Sequence, residues 1–346
     1  MNEKTLRVGL VGSGFMGRLH ANCWEALPGV QLVAVADPTQ ESRDKCPGKP
    51  EQFTNWKDLL ANAGVDIVDV CTPTPWHGET AMGALAAGKN VLCEKPMALT
   101  TAEATAMARA GKAAGTIFMV AHVIRFWPEY ALLKEIVTSG KYGPLKSFTC
   151  LRRMAVPMYN WDMWTHDEVR AGGIPFEGHI HDVDYVRYLM GDPASVYATG
   201  VRDHTGIGQM WTSYTFADDS RAVAEGSWGY QPNYPFQHGY VAVMEGGVVD
   251  YNLGREKPLL LYTPNAEPAE IKPEPVVVST ADEGGNISDL GGYYKEIEYY
   301  AGCVREGKQP TVTTPWDARE SVRLLEAQIE SANTGKVLAF AAEPEA

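Results

Sequence analysis

Long apolar runs are missing from this sequence. No stretch reaches the roughly 18 uninterrupted apolar residues that a membrane-spanning helix needs, so we expect no membrane span. Basic residues are in the minority, with 30 lysines and arginines against 43 aspartates and glutamates and a net charge of −13. Such a surface repels the phosphates of nucleic acids and of anionic lipids. We therefore expect neither nucleic acid nor a membrane as a partner.

Secretory and disulfide signals are lacking as well. No basic start is followed by an apolar segment and a cleavage site. Cysteines are few, and none is spaced as a CxxC pair. The six are Cys23, Cys46, Cys71, Cys93, Cys150 and Cys303. We expect them to be reduced thiols, several of them buried in strands, with no structural zinc and a cytoplasmic location.

What is present fits a globular protein of two domains, with 346 residues of which 45% are hydrophobic and 21% charged. Its first third alternates short apolar runs with helical patterns, which predicts βαβ units and a parallel sheet covered by helices on both faces. The predicted strands are residues 6–11, 31–36, 66–72, 90–93 and 117–121, and the predicted helices are residues 15–26, 56–62, 77–87 and 100–114.

The pattern changes after about residue 121. Longer, partly polar runs separated by tight Gly and Asp turns predict a mainly antiparallel sheet. These strands are residues 145–153, 194–201, 209–216, 222–228, 240–244 and 247–251, with helices over 128–139, 179–190, 292–306 and 315–333. We expect two domains, 1–122 and 123–346. The stretch 264–275, rich in Pro and Glu, is predicted to be an exposed loop or sheet edge.

A dinucleotide-binding motif joins the first strand to the first helix. Gly12 allows the tight turn, Gly14 lets the backbone approach a pyrophosphate, and Gly17 permits close packing of helix on strand. Asp37 ends the second strand 20 residues after Gly17, where a carboxylate accepts hydrogen bonds from a ribose and repels a 2′-phosphate. The pattern predicts NAD. The nearby Arg43 keeps NADP open as a less favoured alternative.

Two further segments are informative: Glu94-Lys95-Pro96 after a strand, and GGIPFEGHIHDVD at residues 172–184. With GSGFMGRLH at residues 12–20, they resemble the Gfo/Idh/MocA family of oxidoreductases, and the resemblance covers nearly the whole chain. It implies a Rossmann domain, then an α/β domain with a large, open, mainly antiparallel sheet, and an active site between them. It also implies homodimers or homotetramers built through the sheet face.

The resemblance implies that Lys95, Glu177 and His181 are the catalytic residues. His181 is then the general base, Lys95 stabilises the substrate oxygen, and Glu177 holds Lys95 or a substrate hydroxyl. The family usually has Asp at the place of Glu177, which leaves the pocket dimensions open. Asp184, three residues past His181, is a candidate to orient its ring. Without the resemblance, Lys95 also fits an ordinary surface lysine and His181 a structural histidine.

Further contacts are expected near the strand ends and in an aromatic segment. The expected cofactor contacts, besides the three glycines, Asp37 and Lys95, are Phe15, Met16, Thr72, Pro73, His77, Glu94 and Arg125. The expected substrate contacts, besides the catalytic three, are Arg153, Trp161, Trp164 and Tyr294. The two tryptophans fit a dimer-contact loop or a small satellite core equally well. No metal is predicted, because His179 and His181 are two apart and point away from each other on a helix.

These features predict an NAD-dependent dehydrogenase that moves a hydride between nicotinamide C4 and a secondary alcohol carbon of a sugar, a sugar derivative or a cyclic polyol. Two alternatives stay open. One is a lyase or glycoside-cleaving enzyme of the same family that recycles its NAD, and the other is a non-catalytic dinucleotide-binding sensor.

Overall fold

Two sheets organise the protein in a computed structural model that describes residues 4–158, 160–276, 290–341 and 343. The described part of the first sheet has six parallel strands in the order β3-β2-β1-β4-β5-β6, which is the order of a dinucleotide-binding Rossmann domain. Its strands are β1 Leu6–Val11, β2 Val30–Ala36, β3 Glu51–Phe53, β4 Ile67–Val70, β5 Asn90–Glu94 and β6 Phe118–Ala121. The predicted Rossmann fold is confirmed.

Helices connect these strands on both faces of the sheet. They are α1 Phe15–Ala26, α2 Gln40–Asp44, α3 Trp56–Asn62, α4 His77–Ala86 and α5 Thr101–Ala114, with a 3₁₀ turn over Thr74–Trp76. Their ends follow local chemistry. Thr100 caps α5 by accepting a hydrogen bond from the Glu103 amide at 3.2 Å, and Gly115 ends it in the left-handed conformation. The predicted helices were placed to within a few residues, whereas α2 and β3 were missed because both are short.

The second sheet has nine described strands, all antiparallel except for the β7–β10 pair, in the order β14-β13-β12-β11-β7-β10-β9-β8-β15. They are β7 Leu145–Arg153, β8 Ser195–Asp203, β9 Gly206–Thr215, β10 Arg221–Ser227, β11 Gln237–Met244, β12 Gly247–Asn252, β13 Leu259–Tyr262, β14 Ala269–Glu270 and β15 Leu338–Ala339. The expectation of a mainly antiparallel sheet is confirmed. The stretch 264–275 is mostly exposed and contains the edge strand β14.

Of the remaining helices, some pack against the second sheet, others pack against the first half, and the last one packs against both. They are α6 Pro128–Thr138, α7 Glu168–Ala171, α8 Ile180–Met190, α9 Gly291–Glu306 and α10 Pro315–Thr334, with 3₁₀ turns over Val123–Phe126 and Trp161–His166 and a π-helical turn over Pro175–His179. The two C-terminal helices attach to the Rossmann half. Tyr300 donates a hydrogen bond to the Ile117 carbonyl at 3.2 Å, and Glu326 accepts one from the Thr101 amide, also at 3.2 Å. The two C-terminal helices therefore connect the two halves of the protein.

All six cysteines are free thiols, and Cys303 is the one that is partly exposed. Across the described ranges, no helix combines the length and hydropathy that a bilayer crossing requires.

Candidate active site

The glycine turn forms a cradle at the start of α1. Gly12 has a φ of +90°, and a Cβ there would lie 2.6 Å from the Cys71 carbonyl oxygen. A Cβ on Gly17 would lie 1.9 Å from the Gly12 oxygen, so only glycine allows this approach of helix to turn. Around Gly14 no atom lies within 4 Å of the Cβ position. This open space, next to the N-terminus of α1, fits a pyrophosphate.

Asp37 lies at the end of β2, beside the cradle. Its Oδ2 accepts a hydrogen bond from the Ser13 amide at 2.9 Å, and its Oδ1 accepts from the Thr39 amide and hydroxyl at 2.9 and 2.7 Å. These bonds fix a carboxylate at the mouth of the cleft. Arg43 donates to the Asp37 carbonyl and, at 2.6 Å, to Gln40 Oε1. Its guanidinium is thus already engaged, and the residues present fit NAD.

The carboxyl ends of β4 and β5 supply the next part of the cleft. The buried Thr72 Oγ1 has no hydrogen-bond partner among the described residues, as expected of a group that meets a ligand. Pro73 follows it and is the N-cap residue of the 3₁₀ turn. The His77 ring lies with its nitrogens 2.8 Å from the carbonyl oxygens of Pro96 and Thr72, and burial lowers its pKa. His77 therefore ties the 3₁₀ turn to the loop after β5.

Glu94 holds the backbone that carries Lys95. Its Oε2 accepts a hydrogen bond from the Lys95 amide at 3.0 Å, and its Oε1 lies 3.0 Å from Nε2 of the buried His20. Burial favours the neutral acid, but the hydrogen bond and charge of His20 outweigh this effect and lower the pKa of Glu94. His20 also contacts Asp69 at 3.0 Å. A buried chain of polar groups thus supports the loop after β5 from below.

The three predicted catalytic residues lie together. Lys95 Nζ donates a hydrogen bond to the Glu177 backbone carbonyl at 3.0 Å, and Glu177 Oε1 accepts one from the Thr74 hydroxyl at 3.3 Å. Burial raises the pKa of Glu177 against the opposing effect of Lys95. The π-helical turn continues into α8, so Glu177 and His181, four residues apart, project from the same side of one helical run.

His181 has the environment of a neutral base. Burial is the main cause that lowers its pKa well below 6.5, and the charges of Lys95 and Arg152 lower it further. Its buried Nδ1 has no hydrogen-bond partner within the described ranges. Asp184, predicted to orient this ring, instead pairs with Arg125, so that prediction was wrong.

One cleft of about 730 Å³ joins these groups. Its walls include Gly12, Gly14, Phe15, Met16, Asp37, Thr72, Pro73, His77, Glu94, Lys95, Trp161, Trp164, Glu177 and His181 from the predicted set. Trp161 is half exposed and its ring lies 6.4 Å from that of Trp76. The glycine cradle and the side chains of Lys95, Glu177 and His181 therefore line a single crevice.

Arg125, expected at the cofactor, is placed elsewhere. Its Nε and Nη2 donate to the two Asp184 oxygens at 2.8 and 2.7 Å, and its Nη1 donates to Asp317 at 2.9 Å. Both Arg125 and Asp184 have side chains that are 1% exposed. Arg125 is not among the residues that line the cleft. Its role is corrected to a buried ion pair that joins the turn after β6 to α8.

The predicted substrate contacts Arg153 and Tyr294 were each wrong by one residue, because the preceding residue lines the cleft instead. Arg153 pairs with Glu225 at 2.7 and 2.6 Å, whereas Arg152 lines the cleft. Successive side chains of a strand point to opposite faces, and Arg152 shares the buried face of Phe148 and Cys150. Likewise Tyr293 lines the cleft and Tyr294 does not. The signal missed was the alternating burial pattern of β7.

The side chains that could bind a metal lie away from His179 and His181. Among the described residues, His20, Asp69 and Cys71 lie close enough together to hold an ion. Their contacts are hydrogen bonds, with Asp69 3.0 Å and the Cys71 sulfur 3.4 Å from His20 Nδ1. His179 contacts the Thr212 hydroxyl at 3.3 Å and is fully buried. His179 and His181 therefore lie in different surroundings.

The fold and the cleft define a dinucleotide-dependent oxidoreductase. Comparison with known proteins agrees: residues 6–122 match the oxidoreductase family with an NAD-binding Rossmann fold, and residues 130–249 match the GFO/IDH/MocA C-terminal domain. The chain belongs to the GFO/IDH/MocA family of NAD-binding oxidoreductases, as the sequence resemblance implied.

Two relatives and one structure show the range of similarity. The scyllo-inositol 2-dehydrogenase (NAD(+)) of Bacillus subtilis is 28% identical over 90% of this chain and 90% of its own. The levoglucosan dehydrogenase of Pseudarthrobacter phenanthrenivorans is 31% identical, but the match spans 56% of this chain and only 54% of that protein. The crystal structure of GenD2 from gentamicin A biosynthesis, in complex with NAD, is 26% identical with a TM-score of 0.83, covering 98% of this chain and 97% of GenD2.

Proposed function

We propose that the protein is an NAD-dependent dehydrogenase that oxidises a secondary hydroxyl of a sugar, a sugar derivative or a cyclic polyol. The observation that carries the proposal is the meeting of Lys95, Glu177 and His181 in the cleft that also holds the glycine cradle. The relatives' names add support, since one acts on scyllo-inositol and another on levoglucosan. The proposal also includes that this dehydrogenase forms a homo-oligomer.

In the proposed reaction the substrate hydroxyl lies between Lys95 and His181. His181 removes the hydroxyl proton, for which its neutral imidazole is suited because its pKa is lowered. Bound NAD⁺ would supply the acceptor for the hydride, which leaves the carbon that carries this hydroxyl. The Lys95 ammonium stabilises the negative charge that develops on the oxygen. The Glu177 carbonyl holds that ammonium in position through the 3.0 Å hydrogen bond.

NADH formation tests this function. The purified protein is incubated with NAD⁺ and a panel of pyranoses, glycosides and inositols, and NADH is followed by absorbance. A dehydrogenase accumulates NADH in amounts equal to the ketone formed. An NAD-recycling lyase would consume a glycoside without NADH accumulation, and a sensor would bind NAD in calorimetry without converting any sugar. Either of these two results would contradict the proposal.

Asp37 is expected to set the cofactor preference. Asp37→Ala removes the acceptor for the ribose hydroxyls and the charge that repels a 2′-phosphate. We expect kcat/KM for NAD⁺ to fall about tenfold, because a hydrogen bond to a charged group contributes about 1.5 kcal/mol or more. The ratio of kcat/KM for NAD⁺ to that for NADP⁺ should fall by a larger factor. Asp37→Asn, which keeps one oxygen acceptor, should relax the ratio with a smaller loss on NAD⁺. An unchanged ratio in both variants would remove Asp37 from this role.

The lowered pKa of His181 predicts the pH dependence. A base with a lowered pKa stays neutral at lower pH, so kcat/KM should fall only below about pH 6.5, the ordinary value for histidine. Imidazole NMR of the free protein, assigned with His181→Asn, checks this without substrate. Lys95→Met removes a neighbouring positive charge, so the His181 titration should move upward in pH. A titration at or above 6.5 in the unmodified protein, or no movement in Lys95→Met, would contradict the assignment.

The outer face of the second sheet supports the proposed homodimer or homotetramer. Large apolar side chains are exposed along β8, β9, β10 and β11: Tyr197, Val201, Trp211, Val223 and Val241 are 41, 52, 37, 40 and 37% exposed. Through the strand register, Val223 and Val241 both lie beside Thr149 on one face. Such an apolar patch is typical of a protein interface. Sedimentation equilibrium should give a mass of two or four chains, and a monomer at micromolar concentration would contradict this.

A further inference from the structure

Arg152 is a buried arginine at the substrate end of the cleft. It lies near the end of β7, is 2% exposed, and its side chain belongs to the cleft wall. Asp182 on α8 accepts hydrogen bonds from its Nε at 2.9 Å and its Nη2 at 3.3 Å. A guanidinium has five N–H donors, and this pairing uses one edge of it. Nη1 makes no hydrogen bond with any described residue, which leaves two donors for a ligand.

Aromatic rings hold the guanidinium in place. Its central carbon lies 5.7 Å from the centroid of the Trp127 ring and 5.8 Å from that of Phe236, and both residues also line the cleft. Cation–π contacts of this kind, together with the Asp182 pair, restrict the rotamers of the side chain. The free edge of Arg152 is therefore preorganised, which lowers the entropy cost of binding a planar group.

The electrostatics around this edge favour an anion. Both Lys95 and Arg152 act on His181 as positive charges, because each lowers its pKa in addition to burial. Glu177, a carboxyl group on the same wall, is held by the Thr74 hydroxyl at 3.3 Å, and burial raises its pKa against the opposing effect of Lys95. Asp182 is fully buried and contacts Arg152 through the edge already described. A negatively charged substituent at the free edge of Arg152 would thus lie near the two positive charges, Arg152 and Lys95, that act on His181.

We propose that Arg152 recognises a carboxylate, so that the substrate is a sugar acid or a carboxylated polyol whose secondary hydroxyl lies at Lys95 and His181. This rests on the proposed function and narrows it. Carboxylate fits better than phosphate because a single flat edge between two rings offers few donors, whereas a phosphate dianion requires several. A purely structural role, joining β7 to α8, would explain the Asp182 pair but not the free Nη1 at the cleft wall.

Matched substrate pairs test the inference. The kcat/KM with NAD⁺ is compared for glucuronate and glucose, for galacturonate and galactose, and for glucose 6-phosphate. We expect a preference of about tenfold or more for the acids, the factor that corresponds to a charge-assisted hydrogen bond. Arg152→Lys should reduce this preference and Arg152→Met should abolish it. Arg152→Met with Asp182→Asn avoids an uncompensated buried carboxylate if the single variant does not fold.

A binding measurement separates this inference from the proposed function. Calorimetry with glucuronate is carried out on the enzyme saturated with NADH, using Arg153→Gln as the control because Arg153 pairs with Glu225 outside the cleft. Tighter glucuronate binding by the unmodified protein and Arg153→Gln than by the Arg152 variants supports the proposal, whether or not turnover occurs. Equal binding overturns it, as does a preference for neutral sugars or phosphates. Oxidation of neutral sugars alone leaves the proposed function standing.

Discussion

Lys95→Met is expected to slow substrate oxidation by about 100- to 1,000-fold, which is the usual loss when one preorganised charge-stabilising donor is removed. Its ammonium is held by the Glu177 carbonyl at 3.0 Å and lies in the same cleft as His181. His181→Asn removes the base and should slow the reaction by about 100- to 10,000-fold. Steady-state rates at saturating NAD⁺ measure both losses, and calorimetry should show that both variants still bind NAD.

The two substitutions act on one chemical step. His181 removes the proton and Lys95 stabilises the oxygen that loses it, so the two losses should be less than additive and the double variant little slower than the slower single variant. Lys57→Met and His204→Asn are matched surface controls: Lys57 Nζ pairs with exposed Glu79 at 3.2 Å, and His204 contacts His166 at 3.3 Å. Both controls should keep the unmodified rate. Near-normal rates in Lys95→Met or His181→Asn would rule out these residues as the catalytic pair.

Arg125→Met is expected to lower the free energy of unfolding by about 3–5 kcal/mol, because it leaves the Asp184 carboxylate buried without its partner. The two side chains are each 1% exposed and are joined by bonds of 2.7 and 2.8 Å. Burial alone would raise the pKa of Asp184, but Arg125 lowers it to about 2. Urea denaturation followed by tryptophan fluorescence measures the loss.

Controls distinguish this ion pair from a cofactor contact. Arg125→Met with Asp184→Leu should recover much of the lost stability, since both charges are then gone. Arg153→Gln breaks a partly exposed pair with Glu225 and should cost about 1 kcal/mol or less. NAD affinity of the folded Arg125 variant should match that of the unmodified protein. A large loss of NAD affinity without loss of stability would restore the role that was predicted from the sequence.

The sequence predicted the Rossmann half well because its signals are local. The β1 segment is a short apolar run, Gly12 to Gly17 form the turn that follows it, and α5 is marked by Thr100 and Gly115. Each of these features depends on neighbouring residues. Short elements such as α2 and β3 lack enough residues to show a period, and they were missed.

At the candidate site, too, the residues that could be predicted are those whose position follows from chain order or local periodicity. The tripeptide with Lys95 follows β5, and parallel strands deliver their carboxyl ends to one edge, so its place at the cleft follows from chain order. Glu177 and His181 lie four apart on one helical run, which also follows from periodicity. Side chains such as Trp76 and Phe236, which come from opposite halves of the chain, could not be assigned to the cleft in this way.

Order, spacing and local conformation were thus determined by the sequence alone: the alternation of strands and helices, the glycine turn with Asp37, and the residues that can handle a proton. Only the tertiary structure decided which face of each element meets the cleft. It selected Arg152 over Arg153 and joined Arg125 to Asp184, 59 residues away. The physical reason is that a repeat of two or 3.6 residues says which side chains share a face, whereas long-range packing decides what that face contacts.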